Sequence, residues 1–422
     1  MSGSVPAWYR ALPFLGRAPP LTPLQWRVLG LVAAVSFFEQ YDMYLFALNL
    51  KQIQADLGIP ESQLGLLGAV VRAGAFLAVF FALSADRFGR RKLLLITVLG
   101  YTVLTGLTAF SPNAETFVIL QFLARGFAAA EVMLAAVVIA EVFAPEHRGW
   151  GIGALAALQA TGAGFASIMF GFVDVLPYGW RSLYLIGFFP LLLIAYWRRT
   201  LPETGRFEAI AETTTQTGYF SPMRGLFENN PVRTSALFTI VFLFAMGASA
   251  AGFFAPKYLQ DVHGWTPANV AVLSFIGGAL AIIANPLAGY LSDRHGRRPI
   301  TMIFAGVYFF TVAGFYLSSG FIIPLLWIAL IFFVMGTDVT LTSFGTELFP
   351  TRQRSTATGF RGLISTLAGI LGLSAVSALY LVFESNWISI VIVASICLAV
   401  PLLVWLFLPE TARRPLEEIS PD

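Results

Sequence analysis

Two acidic residues stand three positions apart inside the first long apolar stretch of the chain. They are Glu39 and Asp42, within SFFEQYDMYL at positions 36–45. In an α-helix, residues three apart share one face and lie about 4.5 Å apart along the axis. Two carboxylates this close in a low-dielectric environment resist joint ionisation, so they hold a proton more readily than either would alone. The pair therefore has the chemistry of a proton carrier.

Arginines in other apolar stretches could supply the opposite charge. Arg72 lies at mid-depth in the second stretch, and Arg125 lies slightly outside mid-depth in the fourth. An arginine keeps its proton and can hold an anion while nearby acids titrate. Glu131 lies about 9 Å further along the same helix as Arg125 and roughly 240° around it, so the two cannot face one point. All these residues could instead form a buried structural ion-pair network, and the sequence leaves both interpretations open.

The composition indicates where these charges lie. Of the 422 residues, 57% are hydrophobic and 12% are charged, which is too apolar for a soluble protein of this length. Runs of about 20 apolar residues are long enough to cross a bilayer as helices, so we predict an all-α polytopic membrane protein with 12 transmembrane helices. The predicted helices lie near 25–50, 62–84, 92–111, 115–141, 150–175, 181–199, 233–257, 268–291, 299–318, 321–346, 355–383 and 387–408.

The basic residues predict the orientation of these helices. Of the 26 Lys and Arg residues, 20 fall in the tails or in loops on one side, whereas Lys51, Arg181 and Lys257 fall near the other side. Lys and Arg concentrate on the cytoplasmic side of membrane proteins. We therefore expect both termini in the cytoplasm, and the short external loops favour a bacterial inner membrane.

Several motifs recur about 207 residues apart. ADRFGRRKLLL at 85–95 returns as SDRHGRRPITM at 292–302, and EVFAPEHRG at 141–149 returns as ELFPTRQRS at 347–355. A repeat of this kind predicts two six-helix bundles of like topology, with a substrate site near the middle of the membrane. The predicted organisation is a cytoplasmic tail at 1–24, a bundle at 25–199, a cytoplasmic linker at 200–232, a bundle at 233–408 and a cytoplasmic tail at 409–422.

The repeated motifs resemble those of the major facilitator superfamily of secondary transporters. Asp86-Arg87-Phe88-Gly89-Arg90-Arg91 and its echo from Asp293 to Arg298 look like the loop motif of that superfamily. The stretches at 141–149 and 347–354 resemble its branch of sugar porters, organic ion transporters and SV2-like metabolite:proton symporters. Within that branch, Glu39-Gln40-Tyr41-Asp42 is similar to the Asp-Gly-x-Asp motif of aromatic-acid:proton symporters, from which it differs at the first two positions. The segment at 242–259 lacks the paired glutamines usual in sugar porters, which disfavours sugar transport.

Charged residues in the repeated loops are candidates for gating. Their arginines can bridge to glutamates at the cytoplasmic face, and Asp86 and Asp293 can cap helix N-termini. The resemblance implies that such contacts latch one conformation of the transport cycle. Asp338 and Arg361, in the tenth and eleventh helices, could pair as a cytoplasmic gate or bind substrate. The predicted gating residues are Asp86, Arg90, Arg91, Glu141, Arg148, Asp293, Arg297, Arg298, Asp338, Glu347, Arg354 and Arg361.

The two halves of the repeat differ at the acidic pair. Positions 207 residues beyond Glu39 and Asp42 carry Met246 and Ser249, so the second half lacks both acids. We infer that proton handling belongs to the first half and that the second half contributes an apolar and aromatic wall, although aromatic residues at helical spacing more often pack the bundle. The predicted proton-coupling residues are Asp42, Glu39 and Glu131. The predicted substrate-binding residues are Arg125, Arg72, Tyr41, Gln159, Asn285 and Phe344.

The sequence predicts a proton-coupled symporter that imports a small organic anion, a carboxylate with an apolar or aromatic body, by alternating access. We expect the substrate, protons and the lipid bilayer as partners, with no nucleic acid, cofactor or metal, and the resemblance implies a functional monomer. The alternatives are a proton antiporter that exports an organic cation or drug-like solute, and an SV2-like receptor that does not transport. An enzyme is not expected, because His147, His263 and His295 all lie in loops and none shares a segment with a nucleophile.

Overall fold

The computed structural model describes residues 6–10, 18–81, 90–199, 225–227, 231–350, 353–414 and 419, and all regular structure within them is helical. Eleven of the described helices are long and apolar enough to cross a membrane, and a shorter apolar helix at Lys92–Thr108 stands third in order. The all-helical, multi-pass fold is thereby confirmed, whereas the number of twelve spans stays a prediction. The helices are α1 Pro23–Leu48, α2 Glu61–Phe81, α3 Arg90–Thr108, α4 Ala114–Val142, α5 Arg148–Phe170, α6 Trp180–Arg198, α7 Pro231–Asp261, α8 Pro267–His295, α9 Arg297–Leu317, α10 Ile323–Glu347, α11 Arg354–Phe383 and α12 Asn386–Phe407.

Short helices and caps connect these spans. A four-residue helix, Ala7–Arg10, precedes α1, and the helix Leu50–Leu57 follows it. The start of α1 is a capping box, in which the Thr22 hydroxyl accepts from the amide of Gln25 at 3.2 Å and the Gln25 side chain accepts from the amide of Thr22 at 2.9 Å. Pro23 occupies the first helical position, where its missing N–H costs nothing. The capping box and Pro23 therefore fix the start of the first span.

The described helices divide into two compact units. Unit 1 comprises residues 1–58 and 74–215, and unit 2 comprises residues 59–73 and 216–422. The change from unit 1 to unit 2 falls inside the predicted linker at 200–232. Residues 59–73, the first part of α2, pack with unit 2, although the repeat assigns them to the first bundle. Tertiary packing and the sequence repeat thus divide α2 differently.

Close backbone contacts explain this division of α2. Gly65 lies against the backbone of Leu373 on α11, leaving no room for a side chain. Beside it, the amide of Leu66 donates a hydrogen bond to the Ser377 hydroxyl at 2.9 Å. Beyond this contact the helix tightens into a 3₁₀ turn at Gly74, whose Cα lies against the backbone of α4 in unit 1. A small residue at each approach lets one helix pack in both units.

A similar contact in unit 1 positions α5 against α1. Gly162 lies against the carbonyl of Phe37 and the amide of Tyr41, and a Cβ there would collide with the α1 backbone. This agrees with the close helix packing expected for the glycine-rich run at 153–167. Gln159 stands almost one turn before Gly162, on the same face of α5. The close approach therefore directs Gln159 at α1, near Glu39.

Candidate substrate and proton site

Three helices of unit 1 meet at Glu39. The Glu39 carboxylate pairs through Oε1 with Nη1 of Arg125 on α4 at 2.9 Å, and its Oε2 accepts a hydrogen bond from Nε2 of Gln159 on α5 at 3.0 Å. The Glu39 side chain is 5% exposed, whereas that of Arg125 is 23% exposed. The structure thus brings together three residues that the sequence assigned to proton coupling and substrate binding.

The exposure of Arg125 defines what the cluster can do. A guanidinium carries five N–H donors, and within the described residues its one hydrogen bond goes to Glu39. Its remaining donors are free to bind another planar anion, and arginine matches carboxylates with two parallel hydrogen bonds. Burial of the Glu39 carboxylate strengthens its electrostatic attraction to Arg125, and the partial exposure of Arg125 leaves its guanidinium accessible to a ligand.

Asp42 lies one turn beyond Glu39 on α1, and its carboxylate has fewer hydrogen-bond partners than that of Glu39. Its residue is 8% exposed, and Oδ1 lacks a hydrogen-bond partner among the described residues. Tyr101 and Thr105 of α3 lie beside it, and Glu39 and Arg125 are close enough to interact with it electrostatically. A buried carboxylate without its own cation is costly when charged and much less so when neutral. Asp42 is therefore the better-placed acid for carrying a proton.

Tyr41 contacts a different part of unit 1. Its hydroxyl donates to the carbonyl of Leu183 on α6 at 2.8 Å, and its ring packs on Phe165 of α5 with a centroid distance of 5.4 Å. Two residues along a helix correspond to about 200° of rotation, so Tyr41 points away from Glu39. Its polar atom is used in helix packing, and its predicted role in substrate binding stays a prediction.

Glu131 forms a second charged cluster in unit 1. One carboxylate oxygen pairs with Nη1 of Arg198 at the end of α6, and the other accepts from the Thr97 hydroxyl at 2.8 Å. The Glu131 and Arg198 side chains are 0% and 1% exposed. Arg198, at the end of the predicted span 181–199, is a partner that the sequence did not single out. Nothing local distinguishes it from the adjacent Arg199, which lies over the Tyr196 ring.

The other predicted binding residues lie in unit 2. Arg72 occupies the space left by Gly369 on α11, next to the Ser249 hydroxyl of α7. Asn285 is exposed on α8, whereas Phe344 is fully buried in α10. Complete burial of Phe344 fits helix packing, and its predicted contact with substrate stays a prediction. The roles predicted for Arg72 and Asn285 stay predictions.

Asp338 and Arg361 form the ion pair that the sequence allowed. The Arg361 guanidinium contacts the Asp338 carboxylate, joining α11 to α10, and Asp338 is largely exposed. Both residues belong to unit 2. The pair therefore ties two helices of one unit together, and its predicted role as gate or substrate contact remains a prediction.

The charged residues between α8, α9 and α10 form a network in unit 2. Arg297 pairs with Glu347 at 2.8 Å and with Asp293 at 2.7 Å. The N-terminus of α9 is capped by Glu410, whose two oxygens accept from the amides of Arg297 and Arg298 at 2.7 and 3.1 Å. The expectation that Asp293 caps a helix is corrected here, because its carboxylate is held by Arg297 one turn further on.

Two further predicted gating residues make matched contacts. Nε of Arg148 donates to the carbonyl of Phe143 at 3.3 Å, and Nε of Arg354 donates to that of Phe349 at 3.1 Å. Each arginine thus closes the turn before its own helix. Glu141 is partly buried at the end of α4. Asp86 and the side chains of Arg90 and Arg91 lie outside the described residues.

Unit 2 also contains a buried lysine that sequence reasoning treated only as an orientation signal. Lys257 on α7 is 2% exposed and pairs with Glu61 at 2.8 Å and with Asp261 one turn along the same helix. Nδ2 of Asn386 on α12 donates to the second Glu61 oxygen at 2.8 Å. The i, i+4 spacing of Lys257 and Asp261 was the available signal. This cluster holds residues 59–73 to α7 and α12.

The Glu39–Arg125 pair lies inside a multi-pass helical protein, where ionisable residues mark candidate functional sites. The part of the chain that the structure describes contains no group of three His, Cys, Asp or Glu side chains able to hold a metal ion. The family model of the Major Facilitator Superfamily matches residues 32–372. The chain belongs to that superfamily, and it is a multi-pass cell-membrane transporter rather than an enzyme.

Curated relatives are similar over most of the chain. A protein of Bacillus subtilis named as a candidate niacin/nicotinamide transporter is 25% identical over 96% of this chain and 100% of its own length. The cis,cis-muconate transport protein of Acinetobacter baylyi is 26% identical over 79% of this chain and 83% of its own. The benzoate transport protein of the same organism is 23% identical, with 83% of each chain covered.

Solved structures share the fold. A bacterial homologue of the human lysosomal transporter Spinster superimposes with a TM-score of 0.77 at 16% identity, covering 92% of this chain and 97% of that one. A D-xylose–proton symporter superimposes with a TM-score of 0.75 at 18% identity, covering 92% and 98%. At this identity the likeness establishes the fold alone.

Proposed function

We propose that this protein is a proton-coupled symporter that imports a small organic carboxylate with an apolar or aromatic body. The observation that carries the proposal is the Glu39–Arg125–Gln159 cluster, in which a partly exposed arginine is held by a buried carboxylate. The names of the relatives support the substrate class, since niacin, cis,cis-muconate and benzoate are small carboxylates. A permanent cation at a cluster of titratable acids suits coupling of an anion to protons.

The cluster suggests how coupling would work. With Glu39 charged, Arg125 is engaged, and a substrate carboxylate must compete for it. A proton on Glu39 removes that charge and frees the guanidinium to bind the substrate with charge-assisted hydrogen bonds. Asp42, one turn away, would exchange this proton with Glu39 as the protein alternates between its outward- and inward-open states. Substrate and proton are then bound together, because the proton on Glu39 frees Arg125 for the substrate, and the substrate carboxylate replaces Glu39 as the partner of Arg125.

The remaining charged clusters have structural roles in this proposal. Glu131 counterbalances Arg198, and both side chains are buried. The contacts of Arg297, Glu347 and Glu410 would hold the cytoplasmic ends of the helices during part of the cycle. We also infer twelve spans, cytoplasmic termini, a bacterial inner-membrane location and a functional monomer. The matched hydrogen bonds of Arg148 and Arg354, 206 residues apart, support an internal repeat.

Uptake into proteoliposomes tests the proposal. Benzoate, nicotinate and cis,cis-muconate are supplied outside, with the exterior one pH unit more acidic than the lumen, and with equal pH as the reference. We expect at least one of the three to accumulate above its external concentration under the gradient, and to equilibrate without accumulating when a protonophore dissipates it. Equal accumulation with the acidic exterior and at equal pH would overturn proton symport.

A proton antiporter of organic cations is the second candidate. The observation that favours it is Asp42, a buried carboxylate whose Oδ1 has no partner among the described residues and which could therefore bind an ammonium. In the same vesicles an antiporter would accumulate an organic cation such as ethidium only when the lumen is the more acidic side. Thermal-shift screening of carboxylates against amines separates the two candidates independently of transport.

A further inference from the structure

Buried polar side chains continue from Asp42 toward the end of unit 1 that the predicted orientation places outside. Tyr101, Thr105 and Thr108 share one face of α3 and span about 10 Å of its axis. All three are buried, and Thr105 lies beside Asp42. Tyr184 of α6 is also close enough to Asp42 for an electrostatic interaction. A polar stripe therefore leads away from the candidate coupling carboxylate along α3.

Several polar atoms around this stripe are unsatisfied. Among the described residues, the buried atoms without a hydrogen-bond partner include Asp42 Oδ1, Asn49 Oδ1, Thr105 Oγ1, Ser111 Oγ and the Tyr184 hydroxyl. Buried polar atoms are nearly always satisfied by protein groups or ordered water, and internal water occupies places where several such atoms converge. Asp42, Thr105 and Tyr184 lie on α1, α3 and α6, and Asn49 and Ser111 follow the ends of α1 and α3. Internal water in this part of unit 1 would satisfy these atoms.

Aromatic packing excludes the α1 side as a route. Phe46 lies one turn beyond Asp42 and packs on Phe117 of α4, with their ring centroids 5.7 Å apart. Phe117 in turn contacts the Trp180 ring at 5.7 Å, and all three side chains are buried. The two phenylalanine rings offer no hydrogen-bonding atom, and the indole N–H of Trp180 is already donated to Asp56 at 3.0 Å. The polar side chains of α3 are therefore the better candidates for a polar connection.

The α3 side carries a connected polar group. Nε2 of Gln121 on α4 donates to the Thr108 hydroxyl at 3.2 Å, and both residues are buried. Beyond Thr108, the guanidinium of Arg181 donates to the Ser111 carbonyl at 2.8 Å and pairs with Asp56, whose side chain is 46% exposed. The stripe thus ends beside a charged, solvent-accessible cluster.

We propose that protons reach Asp42 through unit 1 itself, along a hydrated path lined by Thr105, Thr108 and Gln121, with Arg181 and Asp56 at its outer end. In each step one proton passes from a water oxygen or the Thr105 hydroxyl to the next oxygen, which releases its own proton inward, and the last proton binds the Asp42 carboxylate. Thr108, whose hydroxyl donates to the Leu104 carbonyl at 2.8 Å, and Gln121 line the path without passing a proton. No electron is transferred. The groups that face Asp42 are Glu39 of α1, Tyr101 of α3, Arg125 of α4 and Tyr184 of α6. The path rests on the proposed function, because Asp42 must be a coupling carboxylate for it to matter.

Thr105 and Thr102 provide a matched pair of variants. Both are buried on α3, but the Thr102 hydroxyl is bonded to the Val98 carbonyl at 2.6 Å, whereas that of Thr105 is free among the described residues. Thr105→Val and Thr102→Val remove the same hydroxyl with nearly the same shape. Proton influx is measured with a pH dye trapped in proteoliposomes when benzoate, nicotinate or cis,cis-muconate is added outside. Counterflow exchange of the same carboxylate at equal pH measures substrate movement that needs no net proton transfer.

We expect Thr105→Val to slow substrate-induced proton influx roughly tenfold, the order of effect of removing one buried hydrogen-bonding group, with exchange unchanged. Thr105→Ser should restore influx because it restores the hydroxyl, and Gln121→Leu should slow influx as Thr105→Val does. Thr102→Val should change neither measurement. Equal influx in Thr105→Val and Thr102→Val, beside a wild type that moves protons, would overturn the path alone. A wild type that moves no carboxylate, or moves it without protons, would overturn the proposed function and the path with it.

Discussion

Glu39 and Glu131 each pair with an arginine inside unit 1, but their surroundings differ. Arg125, the partner of Glu39, keeps 23% of its side chain exposed, whereas Arg198, the partner of Glu131, keeps 1%. The Glu131 carboxylate is satisfied on both oxygens by Arg198 and Thr97. The Glu39 pair, in contrast, borders Asp42, which has an unsatisfied oxygen.

This difference separates a structural ion pair from a functional one. A fully buried pair is stable only while both members remain, because removing one leaves an uncompensated charge in low dielectric. A partly exposed pair can exchange one member for a ligand, since water or substrate can replace the lost partner. The same residue types therefore serve stability in one place and transport in the other. Five variants test this distinction, beginning with the largest expected effect.

Arg198→Met should destabilise the protein most. It leaves the Glu131 carboxylate buried without its cation, and breaking such a pair costs about 3–5 kcal/mol of unfolding free energy. Chemical unfolding in detergent measures the loss. Arg199→Met is the matched control, expected to cost less than about 1 kcal/mol because that residue lies exposed over an aromatic ring. Similar losses in the two variants would contradict the structural role of the Glu131 pair.

Arg125→Leu should abolish substrate binding while leaving the fold intact. Removing one member of a hydrogen-bonded charge pair in a binding site weakens binding by roughly 2–5 kcal/mol, or about 300-fold near the middle of that range. Equilibrium binding of the transported carboxylate measures this loss. The unfolding free energy should fall less than in Arg198→Met. Unchanged affinity would move the anion site away from the Glu39 cluster.

Asp42→Asn should remove coupling without removing exchange. A gradient of one pH unit supplies about 1.4 kcal/mol per proton, enough for about tenfold accumulation. Without a titratable group at position 42, we expect that accumulation to disappear while counterflow exchange continues. Uptake with and without the gradient provides the comparison. Proton-driven accumulation by the variant would exclude Asp42 as a coupling carboxylate.

Gln159→Leu should have a smaller effect on transport. It removes the hydrogen bond to Glu39 Oε2, and the loss of one hydrogen bond to a charged group costs about 1.5 kcal/mol or slightly more. The weakened hold on Glu39 should slow uptake less than Arg125→Leu does, because Arg125 itself stays in place. Uptake at one fixed pH measures the change. A loss as large as that of Arg125→Leu would contradict the smaller role of Gln159.

Tyr41→Phe should have the smallest effect. It removes the hydrogen bond to the Leu183 carbonyl, which is worth about 1 kcal/mol of stability. Substrate affinity and proton coupling should not change, because the hydroxyl lies in the packing of α1 against α6. Paired measurements of unfolding and substrate binding check this. A large loss of affinity would restore the binding role that the sequence predicted for Tyr41.

The fold could be predicted because its signals are local. Predicted spans such as 115–141 and 321–346 differ by only a few residues from Ala114–Val142 and Ile323–Glu347, since helix ends follow hydropathy and caps. The loop motifs and their repeat identified the superfamily, which the family model confirms. The assignment of residues 59–73 to unit 2 could not be predicted from the repeat, because it depends on which helix Gly65 packs against.

The candidate site was only partly predictable. Glu39, Arg125 and Gln159 were each singled out, because polar groups in apolar spans are conspicuous. The partner of Glu131 was missed, since Arg198 and Arg199 look alike in sequence and only the rotation of α6 turns one of them inward. The cap at the start of α9 was assigned to Asp293 instead of Glu410, which stands more than 100 residues further along the chain. Long-range partners of this kind leave no local signal.

By itself the sequence determined the membrane-spanning helical fold, the superfamily and the placement of acids and arginines within apolar spans. These properties depend on composition, period and motif, and each can be recognised within a short window of residues. The tertiary structure decided which arginine serves which glutamate, and that Asp42 retains an unsatisfied oxygen. The physical reason is that pairing depends on helix rotation and approach, which contacts such as Gly162 against Phe37 set between residues over 100 positions apart.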